Sequence, residues 1–172
     1  MGKKGVFRCL AGLVFRSRGF YTRKVKAFSA DCRRKHILEL GSGREPKCSL
    51  KRFFDGTNTF IQSDVVPGLG YEMIDVTNMT FENEFDVVLC LSVLEHVFDV
   101  RKAVQNIHLA LKPDGIAIIA VPGRFPLHDE PTDYWRFTEH SLRELLKQFK
   151  RIEIRHQGIR EYPTEYYIEA VK

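Results

Sequence analysis

The chain has 172 residues, enough to bury one sizeable core, and no Pro/Gly/Ser-rich linker divides it. Its four cysteines, Cys9, Cys32, Cys48 and Cys90, lack paired metal spacing, and no apolar run has membrane-spanning length, which argues against a disulfide scaffold, a zinc ribbon and an integral membrane protein. The net charge of +5 is lopsided: residues 1–36 hold eleven Lys or Arg against the single acid Asp31, so the rest of the chain is acidic.

Residues 1–35 read as a basic N-terminal arm preceding a domain over 36–172. Within the arm Val6, Phe7, Leu10, Leu13 and Val14 fall on one side of a helix, with Lys4, Arg8 and Arg16 largely off it. Three readings stay open. The helix packs on the domain with its charges solvated, or it lies on an anionic membrane surface, or, as the weakest alternative, it touches nucleic acid. A reducing, cytoplasmic setting is expected, with membrane association through the arm as the variant.

The first strand, 37–40, runs into Gly41-Ser42-Gly43, with Glu39 two residues before the first glycine. Neither glycine has a Cβ to block a ligand's approach or forbid positive φ, so a nucleotide-like group can sit against this turn. A second strand, 59–63, ends at Asp64, 21 positions after Gly43. That is close to the roughly 20-residue offset at which a carboxylate meets ribose hydroxyls in dinucleotide folds. Further strands read at 72–75, 85–91 and 116–121. Helices read at 99–112, closed by Pro113-Asp114-Gly115, and at 138–149, opened by Thr138 as a cap. This alternation predicts a parallel sheet covered on both faces. The tail departs from it: 152–156 and 166–171 look like two strands joined through Gly158 and Pro163 with no helix between, which predicts an antiparallel hairpin.

Taken in order, Leu38-Glu39-Leu40-Gly41-Ser42-Gly43, Asp64, Asp75-Val76, Phe85-Asp86-Val87-Val88, Val93-Leu94-Glu95-His96-Val97 and Leu109-Ala110-Leu111-Lys112-Pro113-Asp114-Gly115 resemble the class I S-adenosylmethionine-dependent methyltransferases, specifically the small type 11 methyltransferase domain. The resemblance spans about residues 36–172. The stretch Phe125 to Thr138 is also similar to a subgroup met among methyltransferases of glycan and cell-surface biosynthesis, an analogy at family level. The resemblance implies a Rossmann-like α/β fold: a mostly parallel seven-stranded sheet with a reversed C-terminal strand and helices on both faces. It implies S-adenosyl-L-methionine as cofactor and transfer of a methyl group to an oxygen or nitrogen of a small-molecule or glycan-linked acceptor. The alternatives are a non-catalytic cofactor-binding or scaffolding module with the same fold, and an NAD-dependent oxidoreductase, which calls for a parallel tail.

Carried over residue by residue, the resemblance places Gly41, Ser42 and Gly43 against the methionine part, with Glu39 organising the turn or an ammonium. Asp64 holds the ribose. Asp75 accepts from the adenine amino group, the Val76 amide faces the ring, and Leu91 and Ser92 line the methionine side. Purely structural roles are open to Glu39, Ser42 and Asp75, as a loop cap, a turn residue and a turn cap. The chain departs from the pattern at Glu45-Pro46, where many relatives carry a third glycine.

On the acceptor side, methyl transfer to a hydroxyl or amine needs aligned groups and a base at the crevice mouth. Glu95 and His96 follow the fourth strand, and His128 and Asp129 follow the fifth, so both pairs are expected at one opening, with His96, His128 and Glu95 as catalytic candidates. Tyr134, Trp135 and Arg136 are candidates for an acceptor wall, Arg136 reading a carboxylate or phosphate. Some relatives that resemble the chain at Glu95-His96 have a glutamate where this sequence has Ser92. Loss of that carboxylate removes a strong ligand for a hard cation, and no metal is expected.

Overall fold

The structure, a computed structural model, describes residues 18–44 and 48–172. The helix expected around Val6 to Val14, and Glu45-Pro46, lie outside the described residues. Helix α1 covers 18–29. It is followed by β1 (His36–Leu40), a 3-10 turn (Lys51–Phe53), β2 (Thr59–Asp64), β3 (Glu72–Met73), β4 (Phe85–Leu91), a second 3-10 turn (Leu94–His96), α2 (Val100–Ala110), β5 (Leu111–Pro122), α3 (Glu139–Leu145), β6 (Arg151–Ile159) and β7 (Tyr162–Val171). The strands form one sheet in the order β3-β2-β1-β4-β5-β7-β6. Strands β1 to β5 pair in parallel, and β7 runs antiparallel to both β5 and β6. The expected sheet with its reversed last strand is therefore borne out. No helix among the described residues is long and apolar enough to cross a membrane.

Two apolar layers follow from the period of two along the central strands. Leu38 and Leu40 on β1, Val88 and Cys90 on β4, and Ala117, Ile119 and Val121 on β5 face a core completed by Val104 and Ile107 of α2 and Leu142 of α3. The alternate residues Ile37, Val87, Leu89, Ile118 and Ala120 face the other way, against Tyr21 and Val25 of α1. The end of the basic N-terminal segment thus supplies core residues to the sheet. Burial of the Cys90 thiol pushes its pKa far up, which keeps it a small apolar side chain.

Several boundaries differ from the sequence reading. Helix α2 opens at Asp99, whose carboxylate accepts from the Lys102 amide at 3.1 Å, but it ends at Ala110 because Leu111 already turns extended and pairs with Phe85. Helix α3 has the capping box of Thr138 and Ser141 yet stops at Leu145, and turns carry the chain through the buried Leu146 and Phe149. Strand β3 stops at Met73, since Asp75 starts a turn. The tail hairpin is longer than predicted: Gly158, at φ +91°, forms a bulge that lets the ladder continue to the Ile159–Tyr162 pair.

From the centre of the sheet the chain runs from β1 outward to β2 and β3, then returns to β4 on β1's other edge. Such a reversal opens a crevice beyond the carboxyl ends of the strands, between β1 and β4. The glycine turn and the segments after β2, β4 and β5 all lie at that end.

Candidate active site

The glycine turn is built by Glu39. Its side chain is almost fully buried, one oxygen accepting from the hydroxyls of Ser42 at 3.0 Å and Ser49 at 2.5 Å, the other from the Leu50 amide at 2.7 Å. Burial raises its pKa, and the bonds from Ser49, Leu50 and Ser42 pull the other way. Of the two roles expected for Glu39, the carboxylate is thus spent on ordering the loop. Ser42 donates its amide to the Ser63 carbonyl, which ties the turn to β2. Gly41 and Gly43 adopt φ +71° and +78°. A Cβ on Gly41 would stand 2.5 Å from Cγ2 of Val93, in the segment after β4, so the two lips of the crevice meet across the missing side chain.

Half-buried Asp64 braces the same turn, accepting from the Gly43 amide on one oxygen and from the Val66 amide on the other, each at 3.0 Å. Each carboxylate oxygen retains acceptor capacity for a further donor. Asp75 is exposed, and its carboxylate accepts from the amide and hydroxyl of Thr77 and the side-chain amide of Asn78, which is the turn-capping geometry. Val76 is buried, its carbonyl accepting from Asn106 of α2 at 2.9 Å. Leu91 joins the core on the α1 side. Ser92 sits at φ +54°, and its side chain hydrogen-bonds with that of Tyr21 of α1; burial raises the Tyr21 pKa, and the bond with Ser92 pulls the other way. Sequence reasoning missed Tyr21, because the seating of α1 on the sheet is not written in local periodicity.

Glu95, His96 and His128 come together as expected. The rings of His96 and His128 meet edge to face at 4.9 Å, and one ligand atom from each of the three residues lies within 4.8 Å of the others. Glu95 is buried in the second 3-10 turn, and its Oε2 has no hydrogen-bond partner. Burial pushes its carboxyl up to about 8, with Arg136 opposing the shift. The Glu95 carbonyl accepts from the amides of Tyr134 and Trp135, which pins the loop after β5 over this turn.

That loop is organised by Asp133, a residue the sequence reading did not single out. Its carboxylate takes two N–H groups from Arg136 at 2.6 and 2.7 Å and the His128 amide at 2.8 Å, and lies 3.3 Å from Nδ1 of His128. The Arg136 guanidinium beside it holds its pKa far below the usual carboxylate range. Arg136 also donates to the carbonyls of Phe125, Pro126 and Trp135. All five of its N–H groups are thereby used internally, which corrects its expected role as reader of an acceptor: it holds the loop. The i,i+3 pairing of Asp133 and Arg136 was the available signal. Asp129 adopts φ +52° and its carbonyl closes a turn with Thr132. Tyr134 and Trp135 are exposed beside Phe98, at ring distances of 5.4 and 6.1 Å, and Trp135 donates its indole N–H to the Val97 carbonyl. Phe98 thus stands beside both rings.

A hollow of about 450 Å³ lies at the opposite end of the sheet, around Lys35, Asp86, Lys112 and Gly115. Its Lys112 and Asp86 are paired at 2.8 Å, and it lies away from the residues above.

A family model described as a methyltransferase domain matches residues 15–166. Among curated proteins, the tRNA U34 carboxymethyltransferase of Sulfurimonas denitrificans is 33% identical over 78 residues, 45% of this chain and 25% of that one. The ubiquinone biosynthesis O-methyltransferase of Rickettsia prowazekii is 28% identical over 118 residues, 61% and 47% of the two chains. The chain thus spans from a quarter to about half the length of these relatives. Among solved structures, the 1,6-didemethyltoxoflavin-N1-methyltransferase of Burkholderia thailandensis, with bound S-adenosylhomocysteine, superposes with a TM-score of 0.67 at 19% identity, covering 100% of this chain and 91% of that one. An S-adenosylmethionine-dependent methyltransferase from Archaeoglobus fulgidus gives 0.69 at 15%, covering 91% and 95%. At these identities the structural likeness speaks for the fold.

Proposed function

Because this chain belongs to the methyltransferase domain family, we propose that it moves a methyl group from S-adenosyl-L-methionine to an oxygen or nitrogen of a small-molecule or glycan-linked acceptor. The observation that carries the reading is the glycine turn at the carboxyl end of β1. Gly41 and Gly43 are both in the left-handed region, and Asp64 from the neighbouring strand braces the Gly43 amide. The residues fit the cofactor: Gly41 and Gly43 hold a positive-φ turn that carries no Cβ, and the Asp64 carboxylate can still accept from ribose hydroxyls. Gly41, Ser42 and Gly43 would hold the methionine part, Leu91 and Ser92 would line it, and Val76 would lie at the adenine. Asp75 would reach the adenine amino group only by giving up part of its turn.

When bound, the cofactor supplies a methyl carbon activated by a sulfonium. What this chain contributes is position and a place for a proton. Glu39 and Asp64 fix the turn before any ligand arrives, which lowers the ordering cost of binding. Tyr134, Trp135 and Phe98 offer flat apolar surface beside the mouth for an acceptor. His96 and His128 offer the imidazole nitrogens there that would take a proton from a hydroxyl or amine acceptor.

Calorimetry with S-adenosylhomocysteine and NAD tests the cofactor. One-to-one binding of S-adenosylhomocysteine and none of NAD is expected, and the opposite preference would overturn the reading. S-adenosylhomocysteine release against panels of hydroxylated and amine acceptors, glycan-linked ones included, then separates an enzyme from a scaffold. The positive excess in residues 1–36 further supports contact with an anionic membrane surface. It is read by liposome co-sedimentation of the chain with Lys3, Lys4, Arg8 and Arg16 replaced by Gln, which should bind less.

A further inference from the structure

We propose that Glu95, His96 and His128 form a binding site for a divalent transition ion of the zinc class, with a coordination position open toward the crevice mouth. Sequence reasoning expected no metal because Ser92 leaves a hard cation short of a carboxylate. The fold brings in a different third ligand. His128, 32 residues from His96 along the chain, lies with its ring 4.9 Å from that of His96. Two imidazoles and one carboxylate suit a borderline ion better than magnesium or calcium, which favour oxygen ligands.

Three features of the side chains favour an ion here. First, both histidines are locked in the ligating tautomer. Nδ1 of His96 lies 3.0 Å from the Thr132 carbonyl, and Nδ1 of His128 lies 3.3 Å from both the Pro126 carbonyl and the Asp133 carboxylate. Those oxygens only accept, so each Nδ1 carries the hydrogen and Nε2 is the nitrogen left to ligate. Second, Asp133 is itself fixed by two N–H groups of Arg136 and by the His128 amide, the outer support that orients a ligating imidazole. Third, Glu95 is 2% exposed and its Oε2 lacks any hydrogen-bond partner. An unpaired buried carboxylate oxygen is costly, and a cation is the partner that removes the cost.

One candidate ligand atom from each of the three residues, a ring nitrogen or a carboxylate oxygen, lies within 4.8 Å of the others. Bonds of about 2.1 Å in tetrahedral geometry put ligand atoms about 3.4 Å apart, so closing on an ion asks for side-chain torsions rather than a backbone shift. Glu95 is buried while both histidines are partly exposed, which leaves the solvent side for a fourth ligand. With both Nε2 atoms engaged by the ion, an acceptor oxygen bound there would be acidified by it and release its proton to solvent instead of to a histidine, favouring a hydroxyl over an amine acceptor. This last consequence rests on the methyl-transfer reading; binding of the ion does not.

The test uses the untagged full chain, stripped with a chelator and titrated with Co²⁺ as a spectroscopic probe, followed by Zn²⁺ competition. One equivalent of Co²⁺ should develop the visible absorption of a low-coordinate site and be displaced by Zn²⁺. Glu95→Gln, His96→Gln and His128→Gln, each checked for native circular dichroism, should weaken binding by at least roughly tenfold, and Asp133→Asn by about 10- to 100-fold. Absence of a protein-bound cobalt spectrum, or folded ligand variants that titrate like the wild type, would overturn the site. S-adenosylhomocysteine calorimetry on the same stripped sample keeps the two readings apart: a chain that binds S-adenosylhomocysteine but no cobalt refutes the metal site and leaves the cofactor site standing.

Discussion

Replacing Glu39 discriminates between a carboxylate that orders the loop and one kept for a ligand. In Glu39→Ala the Leu50 amide loses its acceptor at 2.7 Å inside the protein, while the Ser42 and Ser49 hydroxyls can turn to other partners. An orphaned buried donor costs about 1 to 3 kcal/mol, and the relief of removing a buried charge offsets part of it, so a net loss of about 2 kcal/mol is expected. For a chain of this size that is a fall in Tm of about 4 to 8 °C. Glu39→Gln keeps an acceptor for Leu50 and offers its amide hydrogens to the two hydroxyls, so it should stay within about 1 kcal/mol of the wild type. The pH dependence has a definite sign. Because the folded pKa of Glu39 is raised, ionisation opposes the fold. Stability is therefore fullest below the ordinary glutamate range and declines as pH rises through it to the raised value; Glu39→Gln lacks this component. Thermal melts followed by the fluorescence of the single tryptophan, Trp135, with S-adenosylhomocysteine affinity measured alongside, provide the assay. The reasoning fails if Glu39→Ala melts with the wild type, or if Glu39→Gln falls as far as Glu39→Ala.

Asp64→Ala should weaken S-adenosylhomocysteine binding by about 1.5 to 3 kcal/mol, the worth of hydrogen bonds to a charged group, with the fold retained by circular dichroism; unchanged calorimetric affinity would remove Asp64 from the ribose. Gly41→Ala places a Cβ 2.5 Å from Val93 at φ +71°, and should cost about 2 to 5 kcal/mol in urea unfolding. Adding Val93→Ala should recover the crowding but not the backbone strain, so a double variant as unstable as the single one would place the whole penalty in the backbone. Asp86 accepts from the His36 amide and from Lys112, each at 2.8 Å. Burial pushes its pKa up, but the His36 and Lys112 bonds outweigh it and leave it lowered. Its contribution is present above the ordinary aspartate range and lost as pH falls through the depressed value, so urea midpoints of Asp86→Asn should converge on the wild type at acid pH; a constant gap would refute this.

Local chemistry made the scaffold readable. Near-continuous apolar runs at 37–40, 85–91 and 116–121 can satisfy a pleated strand only if both faces are covered, and a tail of two strands without a helix is expected to fold back on itself. Gly41 and Gly43 declared a turn that needs positive φ, and the distance to Asp64 placed a carboxylate on the next strand. Element ends were less legible: the continuation of β5 to Leu111 depends on a partner at Phe85, and that of β6 on the bulge at Gly158, which only pairing across the sheet reveals.

The sequence by itself determined the succession of strands along the chain, the glycine turn, and the candidates Asp64, Glu95, His96 and His128, because each follows from spacing along one segment. Only the tertiary structure decided what those groups do with their charges. Glu39 and Arg136 look alike in sequence to ligand-binding residues, yet Glu39 is taken up by the Ser42 and Ser49 hydroxyls and the Leu50 amide, and Arg136 by the Asp133 carboxylate and the carbonyls of Phe125, Pro126 and Trp135. Glu95, by contrast, is carried into the interior with one oxygen unpaired beside two tautomer-locked imidazoles. A hydrogen bond is a statement about three-dimensional neighbours, and whether a polar group is spent on the fold or kept for a ligand is settled by those neighbours.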